Sequence, residues 1–300
     1  MHCTCKGGVF FMIKKNKITA AMILLGLTGG ILTGAGGCIV KGAAETEPLK
    51  VTFLKVGKAD AIAIQTEKNT MVIDTGEEED GEELVFYLKN QGITQVDTLL
   101  ITHFDQDHVG GADTLIESMD VERVLVPDYE GTSTEYQDFM IALEEKGMTA
   151  ERLKKAEEFE LGSAKVLVEP PASCEIKNGE AEVDNNFSII TTVTHGKNRL
   201  LFTGDAEKQR IRQWMKEGNV SPCDFLKVPH HGVYNTALQE LFETVAPEYA
   251  VICSSNKNPA DPQTIELLKK YNTHVFQTKD GNITVISDGT SLEMKQDLEH

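Results

Sequence analysis

Four potential metal ligands lie within six residues, directly after one apolar segment of the chain. Residues 96–101 are almost continuously apolar, which predicts a strand buried on both faces. A loop at the end of such a strand can direct several side chains at one point. Imidazole and carboxylate ligands together suit Zn²⁺, Mn²⁺ or iron, so the segment predicts a metal-binding loop rather than a solvated polar loop. The ligands are His103, Asp105, Asp107 and His108.

Two further apolar segments end in residues that can bind a metal. Asp205 follows the apolar residues 200–202, and His230 and His231 follow the apolar segment 225–229. Taken alone, Asp205 also fits the N-cap of a helix predicted over residues 207–216, and the two histidines also fit a polar loop. Three strand-end clusters in one chain favour a single shared metal site.

Short β-type segments and helical segments alternate along the chain after residue 49. The first strands, up to residue 73, form a predicted meander, and later strands alternate with helices. This order predicts an α/β or α+β fold in a single domain, with helices covering the faces of sheets. Residues 144–160 are rich in Glu and Lys and are predicted as a solvated helical face rather than a docking surface.

The first 38 residues have the pattern of an export signal. Lys14, Lys15 and Lys17 precede an apolar stretch at residues 18–32, and small residues then lead to Cys38. Residues 35–38 resemble a bacterial lipoprotein cleavage box in which the cysteine carries lipid, although the usual leucine three residues before it is replaced by alanine. We therefore expect an extracytoplasmic lipoprotein, with an uncleaved anchor or plain secretion as alternatives. The predicted division is a signal peptide or anchor at residues 1–38, a linker at 39–48 and a folded domain at 49–300.

The charge balance limits the kinds of partner that the folded part can bind. The net charge is −18, and because the first 37 residues hold four lysines and no acid, the remainder carries −22. Such a field repels polyanions at long range, which argues against sequence-independent binding of long DNA duplexes. The sequence also contains no P-loop, no G-x-S-x-G elbow and no dinucleotide-binding fingerprint, so those enzyme classes find no support.

Six motifs in a fixed order give the chain a resemblance to a known family. They are VTFLKVGKADA (51–61), VIDTG (72–76), THFDQDHVGG (102–111), NNFS (185–188), LFTGDAE (201–207) and LKVPHHG (226–232). The chain resembles a metallo-β-lactamase-fold hydrolase, and within that fold the hydrolase domain of ComEC-type competence proteins. The resemblance implies a four-layer αββα sandwich in a single domain, with the metals at one edge of its two sheets.

The resemblance also implies a site for two divalent metal ions, Zn²⁺ or Mn²⁺. A water that bridges two such ions loses its proton near neutral pH, which would supply a hydroxide nucleophile. The implied ligands are His103 and Asp105 for one ion, Asp107, His108 and His230 for the other, and Asp205 as the bridge.

The two adjacent histidines have different expected roles. We expect His230 to be the metal ligand because it comes first after the strand. His231 is then an outer residue that orients the ligands, or the proton donor to the leaving group. Asp107 is expected to orient the nucleophile as well as to bind metal, so the predicted catalytic residues are Asp107 and His231.

Two departures from the wider superfamily make the first metal position richer in oxygen. Asp105 stands where most members have histidine, and another histidine is missing where Asn185 and Asn186 lie. The ComEC-type group shares both changes. An oxygen-rich site favours a harder ion such as Mn²⁺, or weaker and exchangeable binding. The candidate substrate contacts, which are also compatible with ordinary surface positions, are Lys55, Lys58, Asn185, Asn186 and Tyr234.

These observations favour a metal-dependent phosphodiesterase, or a nuclease, that acts on nucleic acid or nucleotides outside the cell. A hydrolase of acyl bonds in a lactone or a β-lactam is the alternative enzyme, and the replaced histidines count against it. A non-catalytic, competence-associated binding protein is the remaining alternative. Beyond the N-terminal stretch the sequence has no apolar run of membrane-spanning length, so we expect any DNA uptake to need a separate channel.

Overall fold

The structure is a computed structural model that describes residues 47–171 and 184–297. The predicted signal or anchor at residues 1–38 and most of the predicted linker lie outside the described residues. Within the described ranges, no helix has the length and apolar character needed to cross a bilayer.

Strands make up most of the regular structure, and helices connect them. The strands are β1 (Leu49–Phe53), β2 (Ala61–Gln65), β3 (Thr70–Thr75), β4 (Gln95–Val96), β5 (Thr98–Leu100), β6 (Asp120–Val121), β7 (Val124–Pro127), β8 (Glu151–Leu153), β9 (Glu157–Leu161), β10 (Ala164–Glu169), β11 (Ile190–His195), β12 (Asn198–Phe202), β13 (Phe225–Lys227), β14 (Tyr249–Ile252), β15 (His274–Gln277), β16 (Ile283–Ser287) and β17 (Leu292–Gln296). The helices are α1 (Gly81–Asn90), α2 (Gln106–Val109), α3 (Ala112–Ser118), α4 (Thr134–Glu145), α5 (Lys208–Glu217), α6 (Leu238–Val245) and α7 (Pro262–Lys270). Single 3₁₀ turns occupy Glu78–Asp80, Asp184–Phe187, Pro229–Gly232 and Thr278–Asp280.

Two large sheets form the centre of the described structure. Sheet one has the strand order β17-β16-β1-β2-β3-β5-β7-β8, and sheet two has the order β15-β14-β13-β12-β11-β10-β9. The opening strands β1, β2 and β3 pair antiparallel, as the predicted meander requires. From β3 onward, β5, β7 and β8 pair in parallel, and in sheet two β12, β13, β14 and β15 do the same. Parallel neighbours need crossover connections, which explains the alternation of strands with helices.

Three apolar clusters show that the fold has four layers. One cluster joins α1, α3 and α4 to the outer face of sheet one, for example through Leu88, Leu115 and Phe139. A second lies between the two sheets, and a third joins α5, α6 and α7 to the outer face of sheet two. Alternating side chains of the strands supply the two faces of each sheet. The predicted αββα sandwich is confirmed.

Aromatic packing marks the middle of the layer between the sheets. Phe53 of β1 is fully buried, and its ring centroid lies 5.5 Å from that of Phe225 and 6.1 Å from that of Phe202. Both partners belong to sheet two, so Phe53 links the two sheets directly.

The prediction of a helical face over residues 144–160 is wrong. Helix α4 ends at Glu145, and the rest of the segment contains β8 at one edge of sheet one and β9 at one edge of sheet two. Arg123 forms ion pairs with Glu151 at 2.6 Å and with Glu157 at 2.7 Å, so one guanidinium holds both edge strands. Pairing of these strands with the sheets outweighs the helix preference of Glu and Lys, because intrinsic propensity is weak beside tertiary context.

Candidate metal centre

The three strand-end clusters meet at one edge of the sandwich. The loop after β5 in sheet one carries the first cluster, and the turns after β12 and β13 in sheet two carry Asp205 and the histidine pair. Helix α5 begins only at Lys208 and its N-cap is Glu207, so the carboxylate of Asp205 is not used as a cap. Strands of both sheets thus end at this edge, which brings distant parts of the chain to one place.

Four side chains form the centre of the cluster. Ligand atoms of Asp107, His108, Asp205 and His231 all lie within 4.8 Å of one another. His231 Nε2 is 3.0 Å from Asp205 Oδ2 and 3.2 Å from Asp107 Oδ2. His108 Nε2 is 3.3 Å from Asp205 Oδ1. Two carboxylates and two imidazoles thus converge on one small volume.

A second pair of predicted ligands adjoins this group. His103 Nε2 is 3.6 Å from Asp105 Oδ2, and the His103 ring centroid lies 4.1 Å from that of His108. His103 is fully buried, whereas 39% of the Asp105 side chain is exposed. The structure therefore brings the first pair beside the central cluster, as a site for two ions requires.

The donor set fits divalent metal ions. The Nε2 atoms of His103, His108 and His231 are buried and make no hydrogen bond with any of the described residues. Buried polar atoms are almost always hydrogen-bonded in folded proteins, so three imidazole nitrogens without hydrogen bonds, each beside a carboxylate, fit the ligand set of a metal ion. Imidazole and carboxylate are the ligands that Zn²⁺ and Mn²⁺ use.

Asp74 fixes the orientation of His108 from behind. Its Oδ2 lies 2.8 Å from His108 Nδ1. The Asp74 carboxylate itself accepts hydrogen bonds of 2.7 Å from the main-chain NH and from the hydroxyl of Thr102. With Nδ1–H donated to Asp74, the Nε2 lone pair of His108 faces the cluster, which is the usual arrangement behind a metal-bound histidine.

The structure distinguishes the two adjacent histidines. His231 is 2% exposed, its Nδ1 donates to the carbonyl oxygen of Cys253 at 3.1 Å, and its Nε2 lies in the central cluster. His230 is 15% exposed; its Nδ1 is 3.1 Å from Glu207 Oε1, and its Nε2 is 4.0 Å from Asp205 Oδ2. The geometry thus favours His231 for the ligand position expected for His230, and it places His230 at the rim.

The backbone of this turn explains why the first histidine after the strand is not the one in the central cluster. His230 and His231 both have left-handed conformations, with φ of 47° and 50°. Non-glycine residues seldom adopt positive φ, and such strained positions concentrate at functional sites. Two consecutive left-handed residues reverse the directions of the side chains relative to an extended continuation of β13.

The two glycines after the metal loop are required by close packing. A Cβ atom on Gly110 would lie 2.5 Å from the main-chain carbon of Glu77, and one on Gly111 would lie 2.6 Å from Cα of Gly81. Backbone approach at this distance is possible only without side chains. It holds the loop with Asp107 and His108 against the segment that follows β3.

A buried lysine lies behind the metal ligands. Lys227 of β13 is fully buried; its Nζ forms an ion pair with Asp60, donates to the carbonyl oxygen of Gly204 at 2.9 Å and lies 3.3 Å from Asp205 Oδ1. Burial alone would lower its pKa, but the negative charges of Asp60 and Asp205 outweigh burial and raise it. Lys227 is therefore an ammonium ion inside the site.

The predicted substrate contacts occupy different places. Lys58 is 30% exposed and its Nζ lies 3.4 Å from Asp107 Oδ2, at the mouth of the cluster. Asn185 is buried and donates to Glu207 Oε1 at 3.4 Å, which links it to His230. The remaining three residues contact other parts of the fold. Lys55 NH donates to the side chain of Asn282, and Asn186 Oδ1 accepts from the NH of Arg210. Tyr234 NH donates to the Asp261 carboxylate, and Tyr234 is 37% exposed.

The charges of the cluster depend strongly on one another. Burial would raise the pKa of Asp205, but the nearby His231, His108 and Lys227 hold it well below its usual range. Burial would lower the pKa of His108, but Asp205 and Asp74 raise it well above its usual value. The pKa of His231 is raised against burial in the same way, chiefly by Asp205. Without metal, the surrounding carboxylates therefore favour the protonated form of both imidazoles.

Metal affinity is expected to fall as the pH falls through the neutral range. A metal ion must displace the protons of His108 and His231, so metal binding releases protons. At lower pH more of these imidazoles are protonated, and metal binding is therefore weaker. Calorimetric titration with Mn²⁺ at pH about 6.5 and about 8, in buffers of different ionisation enthalpy, measures both effects. An affinity that is independent of pH, with no proton release, would contradict the assignment of these imidazoles as ligands.

Four residues of this site were not predicted as members of it: Asp60, Asp74, Glu207 and Lys227. A signal for Asp74 exists, because it lies near the end of β3, which pairs in parallel with β5. A lysine inside the apolar segment 225–228 is a signal for Lys227, since charged residues are almost never fully buried unless they are paired. Nothing in the sequence indicates that Asp60 is its partner.

Comparison with curated proteins gives relatives that match most of this chain. It is 25% identical over 297 residues to ComE operon protein 3 of Bacillus subtilis, covering 91% of this chain and 37% of that protein. It is 27% identical over 259 residues to Recombination protein 2 of Haemophilus influenzae, covering 82% of this chain and 30% of that protein. The chain therefore spans only 30 to 37% of the length of these relatives.

Comparison with solved structures concerns the fold. The metallo-β-lactamase fold protein YhfI from Bacillus subtilis matches with a TM-score of 0.51 and 10% identity, covering 77% of this chain and 96% of that one. A mutant of the CmlA β-hydroxylase matches with a TM-score of 0.50 and 17% identity, covering 79% and 53%. The sequence model of the metallo-β-lactamase superfamily matches residues 54–255, which include every residue of the cluster. By fold and by sequence, this chain belongs to the metallo-β-lactamase superfamily.

Proposed function

We propose that the protein is a metal-dependent phosphodiesterase that cleaves single-stranded nucleic acid or nucleotides. The observation that carries this proposal is the convergence of Asp107, His108, Asp205 and His231, with the partly exposed ammonium of Lys58 beside Asp107 at the mouth. A cation at the entrance of a metal site favours an anionic substrate. The charge of −22 outside the first 37 residues disfavours long duplexes, and a short or single strand meets less of that field.

The residues present would hold two divalent ions. His103 and Asp105 would bind one ion, Asp107, His108 and His231 the other, and Asp205 would bridge them. When bound, such ions lower the pKa of a water molecule and neutralise charge on phosphoryl oxygens. The oxygen-rich first position favours Mn²⁺ over Zn²⁺ there.

The remaining polar side chains would orient the reactants. Burial lowers the pKa of His230, so its neutral ring predominates at neutral pH. With Nδ1–H donated to Glu207 Oε1, Nε2 of His230 is a hydrogen-bond acceptor directed at the cluster, and it would accept a proton from the attacking water. Lys58 would bind a non-bridging oxygen of the substrate phosphate, and solvent at the open rim would protonate the leaving group.

The named relatives support nucleic acid as the substrate class. One is called Recombination protein 2, and another, from Neisseria gonorrhoeae, is called Competence protein ComA. The first name refers to recombination, which is a reaction of DNA, and the second refers to competence. Because this chain covers only part of their length, the substrate remains a proposal that rests on the site and its charges.

Metal-dependent cleavage of a labelled single-stranded oligonucleotide tests this function. We expect cleavage with Mn²⁺ that is abolished by a chelator and reduced on the order of 10³-fold by Asp107→Asn, because several kcal/mol of charge stabilisation depend on bound metal. Asp113→Asn is the matched control, since the Asp113 carboxylate accepts a hydrogen bond from the adjacent Thr114 NH and lies outside the cluster. This control should cleave at the wild-type rate.

Absence of cleavage while Mn²⁺ is demonstrably bound would contradict the phosphodiesterase proposal. The same protein would then be assayed on lactone and β-lactam substrates, which test the acyl-bond alternative. Metal binding without hydrolysis of any of these substrates would favour a non-catalytic binding protein.

We also propose that the protein is exported and held at the membrane through residues 1–38. The basic, apolar and small-residue order of this segment supports export, and Cys38 supports lipid attachment. A separate channel would then carry any DNA that enters the cell. We expect the wild-type protein to fractionate with membranes and to incorporate labelled fatty acid, and Cys38→Ser to lose the label. Retention of the protein in the cytoplasm would contradict export.

A further inference from the structure

Lys227 is a fully buried charged group that has no part in the proposed reaction. It lies in β13, between β12 and β14 of sheet two, three residues before His230. None of its side chain reaches solvent. Burying an ammonium ion is costly unless it is paired and hydrogen-bonded. Its position in a strand between two apolar neighbours excludes the usual explanation of a lysine whose charged end reaches water.

The three partners of the Lys227 ammonium all belong to the metal centre. Two of them, the carbonyl of Gly204 and the carboxylate of Asp205, come from one turn after β12. The third is Asp60, which is 1% exposed and comes from the segment before β2. The lysine therefore joins both sheets at the point where the metal ligands meet.

Asp60 is itself held by the backbone of the metal loop. Its NH donates to the carbonyl oxygen of Asp107 at 3.1 Å, and its carbonyl oxygen accepts from the NH of Gly76 at 2.8 Å. Its carboxylate lies 3.9 Å from His108 Nδ1 and 3.8 Å from His231 Nδ1. Asp60 thus lies behind both central imidazoles and is not one of the four residues of the central cluster.

The two oxygens of Asp205 face different partners. Oδ1 is 3.3 Å from Lys227 Nζ and 3.3 Å from His108 Nε2, whereas Oδ2 is 3.0 Å from His231 Nε2. A carboxylate that bridges two ions must hold one orientation, because rotation about its Cα–Cβ and Cβ–Cγ bonds would move both oxygens. The ammonium and the Gly204 carbonyl that it binds fix one side of this carboxylate.

We propose that Lys227, with its charge compensated by Asp60, is a positioning residue that fixes the carboxylate of Asp205 for metal binding. This inference rests on the assignment of Asp205 as a ligand in the proposed function. A buried ion pair seldom adds much net stability over apolar residues of similar volume, so stability alone explains this lysine poorly. Outer partners that orient metal ligands commonly change metal affinity 10- to 100-fold, on the order expected here.

Removing the charges of Lys227 and Asp60 together tests the positioning role of Lys227 without leaving an uncompensated buried charge. Lys227→Met alone would leave Asp60 buried without a counter-ion, which is strongly destabilising. The double variant Lys227→Met/Asp60→Asn keeps the net charge and similar side-chain volumes, but it removes the ammonium that contacts Asp205. Lys227→Gln/Asp60→Asn is a second variant that retains a neutral hydrogen-bond donor.

Calorimetric titration of the purified full-length protein with Mn²⁺ tests the proposal. We expect the double variant to retain cooperative thermal unfolding and to bind Mn²⁺ about 10- to 100-fold more weakly than wild type. Arg152→Met/Glu130→Gln is the matched control, because it also removes one ion pair, of 2.8 Å, at unchanged net charge but at the surface. This control should bind Mn²⁺ with wild-type affinity.

The outcomes separate this inference from the proposed function. Wild-type Mn²⁺ affinity in a folded double variant would overturn the positioning role and leave the proposed function intact. Failure of both double variants to fold would show that the pair serves the fold, and it would equally overturn the proposal. Because the titration uses the metal alone, a wild-type protein that binds Mn²⁺ but cleaves no oligonucleotide would contradict only the proposed function.

Discussion

Replacing His231 with alanine is expected to reduce metal-dependent cleavage on the order of 10³-fold, because it removes a ligand from the central cluster. His230→Ala is expected to reduce cleavage on the order of 10²-fold, the lower end of the usual contribution of a general base. The difference follows from position: His231 Nε2 lies within 3.2 Å of two carboxylates, and His230 lies at the rim. Rates of oligonucleotide cleavage at saturating Mn²⁺ measure both variants.

Metal binding by the two variants provides an independent measurement. We expect His231→Ala to bind fewer Mn²⁺ ions or to bind them more weakly, and His230→Ala to bind them nearly as wild type does. The reverse order, with His230→Ala losing metal and His231→Ala retaining it, would restore the ligand assignment based on order along the chain.

Replacing Phe53 with alanine is expected to reduce the free energy of unfolding by about 3–5 kcal/mol, the usual cost of truncating a fully buried phenylalanine. Its ring lies between the two sheets and within 6.1 Å of both Phe202 and Phe225, so the variant leaves a cavity that neither sheet can close alone. Urea unfolding followed by circular dichroism, in the presence of a chelator, measures this change without the contribution of bound metal.

Phe86 provides the matched control for this substitution. It lies in α1 and is 67% exposed, so Phe86→Ala should change the free energy of unfolding by no more than about 0.5 kcal/mol. Equal losses for Phe53→Ala and Phe86→Ala would contradict the description of the layer between the sheets as the core of the fold.

Much of the fold could be predicted because local patterns agree with the tertiary structure. The apolar run at residues 96–101 contains β5, the helix predicted over residues 207–216 corresponds to α5, and the predicted meander consists of β1, β2 and β3. Residues 144–160 could not be predicted, because their charges favour a helix in isolation. Their strands form only beside sheet neighbours, and Arg123 neutralises two of the glutamates.

The candidate site was predicted in part, for a related reason. Asp107, His108 and Asp205 follow apolar strands, and strands of two packed sheets end at a common edge, so convergence could be expected. The assignment between His230 and His231 depends on two left-handed residues in succession, which no periodicity reveals. Lys227 stands out as a charge in a buried strand, but its partner Asp60 lies far away along the chain.

The sequence by itself determined the αββα class, the edge that carries the ligands and the kinds of atom available to hold metal. The αββα class follows from the resemblance of the six motifs to the family, and the other two follow from residues at strand ends, which are local properties of the chain. Only the tertiary structure decided which histidine reaches the cluster, which carboxylate orients His108 and where the Lys227 ammonium is compensated. Those contacts join residues from both sheets at distances of a few ångströms, and their geometry depends on how the sheets pack rather than on the order of residues along the chain.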